Sequence, residues 1–482
     1  MRTTASTSGL PLVVDLDGTL TPTDTLVESV VLLIRQRPLY LFLLPLWLLL
    51  GRSGFKSSVA SVCRLPVAHL PWRNEFIEWL KAQRAEGRRV VLATAAHRQI
   101  ADDVAQTLPL FDAVIASDAQ HNLKGSAKLA AIQALLGTHF VYAGDSRADL
   151  PIWRKASAAV LVGTRQNVTD QVRAAGVCVE REFVGAGTGT TAVWLKAIRV
   201  HQWVKNALLF VPLLTSFTYT DPQRLMAVVV AFGAFCMAAS GTYLLNDLWD
   251  LNSDRQHPRK RSRPMASGRL PLHHGFVAAV GLTTAGLGLA VAVSSAFLLM
   301  VVGYVILTTA YSWVLKSYVL MDVIALAMLY TYRVLAGAVA IGVILSPWLL
   351  AFSVFTFLSL ALVKRCAELV SLRDAGIAAT QGRDYRISDL VVLWPLGVGA
   401  GLCAVLVFGL FIGSPGAQQQ YENSPLLWLV GIGLIYWLGR MWIKTARGEM
   451  HDDPVVFALK DRGSLVAVAA MAAVPIVAHS FR

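Results

Sequence analysis

Three aspartates, spaced three and then four apart, stand in the run Asn246-Asp247-Leu248-Trp249-Asp250-Leu251-Asn252-Ser253-Asp254, and the basic stretch Arg255 to Pro264 follows at once. On a helix that spacing puts all three carboxylates on one face, where only a cation between them relieves their repulsion. Mg²⁺ prefers oxygen ligands and keeps water and phosphate oxygens in its shell, so Asp247, Asp250 and Asp254 suit a Mg²⁺-bridged diphosphate. Asn246 beside them and Lys260 and Arg263 after them are candidates to hold phosphate oxygens directly. The plainer alternative is a solvated acidic helix end followed by an orientation-setting basic loop. The coincidence of three acids in phase, an Asn and a basic loop weighs against it.

A second constellation is Tyr311-Ser312-Trp313-Val314-Leu315-Lys316, with Asp322 and Arg333 beyond it. Asp322 and Arg333 fall in or near an apolar stretch, where an ionised group is costly unless paired or facing a polar cavity. A structural Asp322–Arg333 ion pair is one reading. The other has Asp322 joining a second metal ion while Lys316 neutralises the leaving diphosphate, with Tyr311 and Arg333 among the substrate-binding candidates.

Near the amino terminus, Leu12-Val13-Val14-Asp15-Leu16-Asp17-Gly18-Thr19 reads as an apolar strand ending in two acids and a Gly that lets the backbone turn under a phosphate. Arg88–Ala93 reads as a strand ending at Thr94, Lys128 opens a helical run, and Phe140–Ala143 is a strand running into Gly144-Asp145-Ser146-Arg147-Ala148-Asp149. Polar residues thus recur at successive strand ends in an alternating α/β pattern.

The elements that must position these residues are of two kinds. The 482 residues are 55% hydrophobic and only 15% charged, with a mean hydropathy of +0.55, too apolar for a soluble globular chain. Residues 1–190 alternate short apolar runs with charged stretches, whereas 191–482 is dominated by long apolar segments, which gives two domains. Windows of membrane-crossing length fall at about 206–220, 224–245, 274–294, 296–313, 319–343, 346–369, 388–412, 425–445 and 463–480. They predict an all-α bundle of about nine transmembrane helices. Asp247–His274, Leu315–Tyr318, Lys364–Arg386 and Lys444–Arg462 hold most of the Lys and Arg of this half, while Ser294–Ala296, Gly342–Ser346 and Gly413–Pro425 hold none. By the positive-inside rule the first set is cytoplasmic, which places the amino-terminal domain inside and the carboxyl terminus outside. The net charge of +13 is accounted for by topology and phosphate binding, and no nucleic-acid partner is expected. Cys63, Cys178, Cys236, Cys366 and Cys403 have no ligand-like spacing, and no cleavable signal peptide is expected.

The N-D-x-x-D-x-x-x-D and Y-S-x-x-L-K-x(5)-D patterns resemble the two Asp-containing motifs of the UbiA superfamily of intramembrane prenyltransferases, over about residues 194–482. The resemblance implies a helical bundle around a lipid-open cavity that splits an activated diphosphate with Mg²⁺. Ile198 to Asn206, Val363 to Leu369 and Gly448 to Pro454 are similar to the polyprenyl-phosphate phosphoribosyltransferase branch, implying phosphoribosyl pyrophosphate as donor and a polyprenyl phosphate lipid as acceptor. Such substrates carry phosphates beyond the diphosphate. Lys205, Asn206, Lys364, Arg365, Arg383 and Arg386 are the candidates to bind them.

The D-x-D-G-T run and the pieces after it resemble the haloacid dehalogenase superfamily of phosphohydrolases over about residues 10–180. The implied fold is a Rossmann-like α/β domain with a helical cap, about residues 21–85. The implied roles are Asp15 as nucleophile, Asp17 as general acid/base, Thr94 and Lys128 as phosphate ligands, and Asp145 as a Mg²⁺ ligand supported by Asp149, with Asp15 and Asp17 also at the metal. A carboxylate attacks phosphorus only when cations cancel the repulsion. Mg²⁺ is expected in each domain, with room for two ions in the transferase at Asp247, Asp250, Asp254 and Asp322. Val30–Gly51 contains an apolar run broken by Pro45, short for a span. It reads as cap helices that dip into the membrane interface or dock on the bundle, or as a helical hairpin buried in its own core.

Together these readings predict a multi-pass, inner-membrane, bifunctional enzyme with its active sites cytoplasmic. It would transfer 5-phosphoribose to a polyprenyl phosphate and remove the 5-phosphate, supplying pentose for cell-envelope glycans. Prenyl transfer to an aromatic or small acceptor, with a separate phosphatase activity, is the alternative enzyme, and a lipid-binding scaffold or transporter the alternative class. A homo-oligomer is compatible with all of these.

Overall fold

The computed structural model describes residues 9–185, 190–376, 384–450 and 453–480. The chain divides into two compact units, one running to Ile198 and including Tyr243–Ala278, the other comprising Arg199–Thr242 and the chain from Ala279 onward. The segment carrying the three spaced aspartates therefore folds with the amino-terminal unit.

That unit is built on six strands, β1 (Leu12–Val14), β2 (Val90–His97), β3 (Ala113–Ser117), β4 (Val141–Gly144), β5 (Ala158–Val162) and β6 (Val179–Phe183). They are all parallel, in the order β3-β2-β1-β4-β5-β6. The strands read as continuous apolar runs because both faces of the sheet are covered. Leu12, Val14, Leu92, Ala143 and Val160 join one core, and Val13, Val91, Tyr142, Ala159 and Leu161 join the other. The strand order reverses at β1, so the crevice beyond the carboxyl ends of β1 and β4 is where a parallel sheet of this kind binds ligands. Register pairs Val14 with Ala143, which sets the residues after each strand side by side. Between β1 and β2 the chain makes a helical cap, including Thr25–Gln36, Gly51–Val62 and Asn74–Ala85.

Tyr243–Ala278 adds to this unit the end of helix Pro222–Trp249, the short helix Leu251–Gln256, a 3-10 turn at Lys260–Ser262 and the start of helix Leu272–Val293. Its anchor is Arg255, whose guanidinium donates to both carboxylate oxygens of Glu28 at 2.5 and 3.0 Å and to the Ala266 carbonyl at 3.1 Å. Both charged side chains are buried, and Glu28 also accepts from the Thr23 hydroxyl at 2.6 Å. Removing one member of such a pair strands the other without water, at a cost of about 3–5 kcal/mol.

Among the described residues, eight helices are long and apolar enough to cross a membrane: Pro222–Trp249, Leu272–Val293, Ser295–Trp313, Met321–Ile341, Pro347–Asp374, Ile387–Ile412, Ser424–Ala446 and Arg462–His479. They match eight of the about nine expected windows, and the first window is built differently. Residues 206–220 contribute no long α-helix; instead Val200–Phe210 is a 3-10 helix followed by the five-residue α-helix Val211–Thr215. Pro212 opens the second piece, and Lys205 and Asn206 are buried against protein, so the window mixes lipid-compatible and protein-facing positions. This segment lies close along Met321–Ile341. A Cβ at Gly337 would collide with the backbone carbonyl of Leu209, so only glycine permits the approach.

Gly337→Val is therefore expected to lower stability by about 1–3 kcal/mol or more, read as an earlier loss of the monodisperse peak on heating in detergent. Gly281→Ala, where an added methyl meets open space, is expected to leave that temperature unchanged.

Candidate active sites

At the sheet's switch point, Asp15 follows β1, its backbone N–H donating to the Ala143 carbonyl at 3.0 Å. Lys128, from helix Ser126–Leu136, brings its ammonium within 2.8 Å of Asp15 Oδ2 and donates to the Tyr142 hydroxyl at 3.1 Å. Tyr142 in turn donates to Asp149 Oδ1 at 2.9 Å. Asp149 Oδ2 closes a turn by accepting from the Asp145 and Ser146 backbone N–H groups at 3.3 and 3.2 Å. Asp17 accepts from the Thr25 N–H at 2.9 Å, and the buried Thr94 hydroxyl accepts from the Ala96 N–H at 3.0 Å. Gly18 turns the loop at φ +80°, and a Cβ there would strike the Asp145 carboxylate. These residues line or border a cavity of about 740 Å³ that also has walls from the cap, at Leu48 and Lys56, and from Pro271–His273.

Burial and crowding of like charges set the titration here. Burial raises Asp15 despite the opposing pull of Lys128. Burial and the neighbouring Asp24 carry Asp17 up to about 7, and burial with Asp149 and Asp15 carries Asp145 up to about 8. Burial alone would lower Lys128, but Asp15 and Asp149 more than reverse it. Lys128 beside Asp15 and the Arg73 charge near Asp145 are too little counter-charge for carboxylates so crowded. One oxygen from each of Asp15, Asp145 and Asp149 lies within 4.8 Å of the others, an all-oxygen donor set that fits Mg²⁺.

The spaced aspartates adopt a different arrangement. The long helix ends at Trp249, and Asp250 caps the next helix. Helical bonds nevertheless run through the break, from Asp250 N–H to Asn246 O at 2.9 Å and from Asp254 N–H to Asp250 O at 2.8 Å. Asp247 and Asp254 are both buried and converge on a single nitrogen of Arg263, at 3.1 and 2.5 Å. A cation thus stands between two of the three acids, supplied by the basic loop itself. Burial raises Asp254 and Arg263 opposes that rise. The Asn246 side-chain oxygen is buried without a hydrogen-bond partner.

Within the second unit, Asp322 does not pair with Arg333. Eleven positions on one helix separate them by about 16 Å. Asp322 is fully buried against Arg365, also fully buried, and accepts from the Tyr385 hydroxyl at 2.5 Å. Both oxygens are engaged, so service as a metal ligand would require Asp322 to release one partner. Arg365 also pairs with Glu368. Arg333 donates to Asn206 Oδ1 at 2.9 Å and the Tyr304 hydroxyl at 2.9 Å. Beside it, Asp453 accepts from Lys205 at 2.7 Å, Lys364 at 3.2 Å and the Tyr330 hydroxyl at 3.0 Å. Among the described residues, two lysines here share one carboxylate, with Arg333 near Lys205, a surplus of positive charge suited to phosphate. Lys316 sits on a 3-10 turn, Leu315–Ser317, and Tyr311 on the helix before it. Arg386 caps a turn through Asp389, and Arg383 lies outside the described residues.

Sequence reasoning missed Tyr142, Lys56, Tyr385 and the centring role of Asp453. Tyr142 shares a strand face with Gly144, two positions on, and that alternation was the available signal. Lys56 reaches from the cap to the Ala95 carbonyl at 2.6 Å and Asn122 at 2.9 Å, with no local pattern to mark it.

Comparison with known proteins finds a UbiA prenyltransferase family model matching residues 207–461 and a haloacid dehalogenase-like hydrolase model matching residues 12–154. An uncharacterized protein, y4nM, of Sinorhizobium fredii is 38% identical over 461 residues, covering 94% of this chain and 88% of that one. Nodulation protein NoeC of Azorhizobium caulinodans is 35% identical over 279 residues, 58% of this chain and 91% of its own. Decaprenyl-phosphate phosphoribosyltransferase of Mycobacterium tuberculosis is 34% identical over 274 residues, 56% of this chain and 88% of its own.

Asp145 is raised above its ordinary value, so the folded state retains a proton that the unfolded chain releases, and stability falls as pH climbs toward about 8. Mg²⁺ binds the deprotonated form, so its stabilising shift in unfolding temperature should be larger at about pH 8 than at about pH 6. Asp145→Asn should abolish most of that shift at both. An equal shift in wild type and variant would refute the assignment.

Proposed function

Since this chain belongs to the UbiA prenyltransferase family and carries an amino-terminal haloacid dehalogenase-like hydrolase domain, we propose that it is a bifunctional membrane enzyme acting twice on one lipid. The bundle half, taken as residues 191–482, transfers 5-phosphoribose from phosphoribosyl pyrophosphate to a polyprenyl phosphate. The phosphatase half, residues 1–190, removes the 5-phosphate. Polyprenyl-phosphoribose is the product, a pentose donor for cell-envelope glycans. The observation that carries this reading is the phosphatase cavity itself, because Pro271–His273, from the same Tyr243–Ala278 segment as the spaced aspartates, form part of its wall. The similarity to decaprenyl-phosphate phosphoribosyltransferases supports the choice of donor.

In the transfer step, an acceptor phosphate oxygen forms a bond to the anomeric carbon as the carbon–oxygen bond to pyrophosphate breaks. Asp247, Asp250 and Asp254 would hold Mg²⁺, which supplies charge neutralisation for the departing pyrophosphate. Lys260 and Arg263 bind its oxygens, with Arg263 swinging from the two carboxylates to the diphosphate. Lys205, Lys364 and Arg333 bind substrate phosphate, and Asn206 orients Arg333. Asp322 fixes Arg365 and Tyr385.

In the hydrolytic step, an Asp15 oxygen attacks phosphorus while Asp17 protonates the departing sugar oxygen. Asp17 then takes a proton from the water that cleaves the aspartyl-phosphate, releasing phosphate. Lys128 and Thr94 neutralise and orient the phosphoryl oxygens, and Tyr142 locks Lys128 in place. Asp15, Asp145 and Asp149 would hold a Mg²⁺ that offsets the negative charge of the phosphoryl group. The positive-inside pattern supports an inner-membrane protein with both sites facing the cytoplasm and the carboxyl terminus outside, an odd number of crossings that requires the segment of residues 200–215 to pass the membrane in addition to the eight long helices.

Purified protein given Mg²⁺, phosphoribosyl pyrophosphate and a polyprenyl phosphate is expected to release pyrophosphate and then phosphate. Asp15→Asn should leave pyrophosphate release intact, cut phosphate release by about 10³-fold or more, and accumulate the 5-phosphorylated lipid. Asp250→Asn should suppress both. Absence of pyrophosphate from the wild type would sink the proposal.

A further inference from the structure

Residues 38–50 contain no charged side chain and fold into two short pieces, the 3-10 helix Pro38–Phe42 and the α-helix Leu44–Leu48. Tyr40, Leu44 and Trp47 turn inward and pack on the core of the phosphatase domain. The opposite side is apolar too. Leu39, Phe42, Leu46, Leu48, Leu49 and Leu50 are between 57% and 83% exposed, a contiguous apolar surface of a kind that soluble domains rarely leave open to water.

Three observations identify what covers it. The stretch from Ser29 to Asn74 contains no acidic residue, while Arg35, Arg37 and Arg52 flank the apolar run, an arrangement that attracts anionic headgroups. The two helical pieces together extend only about 18 Å, against roughly 30 Å of hydrocarbon, so they fit lying in the interface and not across it. Leu48, within the ridge, walls the same cavity as Leu272, the first residue of the membrane-length helix Leu272–Val293. The ridge and the start of a membrane-length helix thus border one cavity.

We propose that the apolar ridge of cap residues 38–50 is a bilayer-docking surface that sets the mouth of the phosphatase cavity against the lipid headgroups, so that the domain acts on a phosphomonoester carried by a membrane lipid. The docking itself is independent of the substrate proposed above, whereas the lipid phosphomonoester rests on that reading. Docking keeps the mouth at the depth where a lipid headgroup lies, and Leu48 and Leu272 give the first carbons of its chain an apolar exit.

The test uses the full chain in nanodiscs containing phosphatidylglycerol, with the exposed Cys178 and Cys403 replaced by Ser. A bimane label is placed through Phe42→Cys or Leu49→Cys, and through Glu78→Cys, an exposed position elsewhere on the same domain. Labels at 42 and 49 should be quenched several-fold more by nitroxide-bearing lipid than the label at 78, and several-fold less by aqueous iodide. Iodide reaching all three labels equally would overturn the proposal. So would protection at 42 and 49 without lipid quenching, which indicates protein as the occupant, either this chain's own helical bundle or a second copy.

In a parallel arm, the triple variant Leu39→Ser, Phe42→Ser, Leu49→Ser should lose about tenfold in phosphate release from the vesicle-embedded lipid product accumulated by Asp15→Asn. It should retain wild-type hydrolysis of p-nitrophenyl phosphate. Equal loss on both substrates, or loss on neither, counts against docking. Wild-type protein inert on both would refute the phosphatase reading instead, and the quenching arm would still decide the docking.

Discussion

Carboxylates brought together and withdrawn from water repel one another, and each chemically interesting place in this chain is arranged around a cation that offsets the repulsion. Lys128 does so for Asp15, Arg263 for Asp247 and Asp254, Arg365 for Asp322, and Lys205 with Lys364 for Asp453. The arrangements differ in what is left over. At the sheet crevice the acids outnumber the nearby cation, which invites a divalent ion. At Asp453 the cations outnumber the acid, which invites phosphate. At Asp322 the balance is closed by Arg365 and Tyr385, and the pair ties the start of Met321–Ile341 to the interior of Pro347–Asp374. One Coulombic rule therefore sorts metal-seeking, anion-seeking and structural clusters along a single chain.

Arg263 is of special interest because its partners can change. In the structure it is shared by two buried carboxylates, a position that a metal ion could take over once a diphosphate arrived to receive the guanidinium. The basic loop would then serve as counter-ion to the acids in one state and as phosphate ligand in the other. Keeping a cation resident spares the acids protonation or unpaired burial between turnovers.

Much of the candidate phosphatase site was legible in the sequence because the residues the structure brings together there sit at strand ends. Asp15 and Asp17 follow β1 and Asp145 and Asp149 follow β4, and a parallel sheet brings those ends together whatever the loops between them do. Thr94 belongs to β2 itself, two strands being enough to place it beside Asp15. The residues that escaped notice depend on packing between distant stretches. Tyr142 is 127 positions from Asp15, and Lys205 lies 248 positions from Asp453. Hydropathy likewise identified eight of the expected spans, yet could not show that residues after Val200 form a 3-10 segment held close by Gly337. The Asp322–Arg333 pairing failed on simple helical rise, and its replacement, Arg365, came from another helix altogether.

The ion pair between Glu28 and Arg255 joins stretches 227 positions apart and makes one cooperative body of the phosphatase sheet and the Asp-rich segment. Severing the chain between the sheet and the bundle would not yield two self-sufficient proteins. The amino-terminal fragment would keep Glu28 in a dry niche with its guanidinium gone, while the remainder would carry Arg255 with nothing to seat it. The fusion is thus thermodynamic as well as genetic, because the Asp-rich segment and its basic loop take their fold from the domain in front of them.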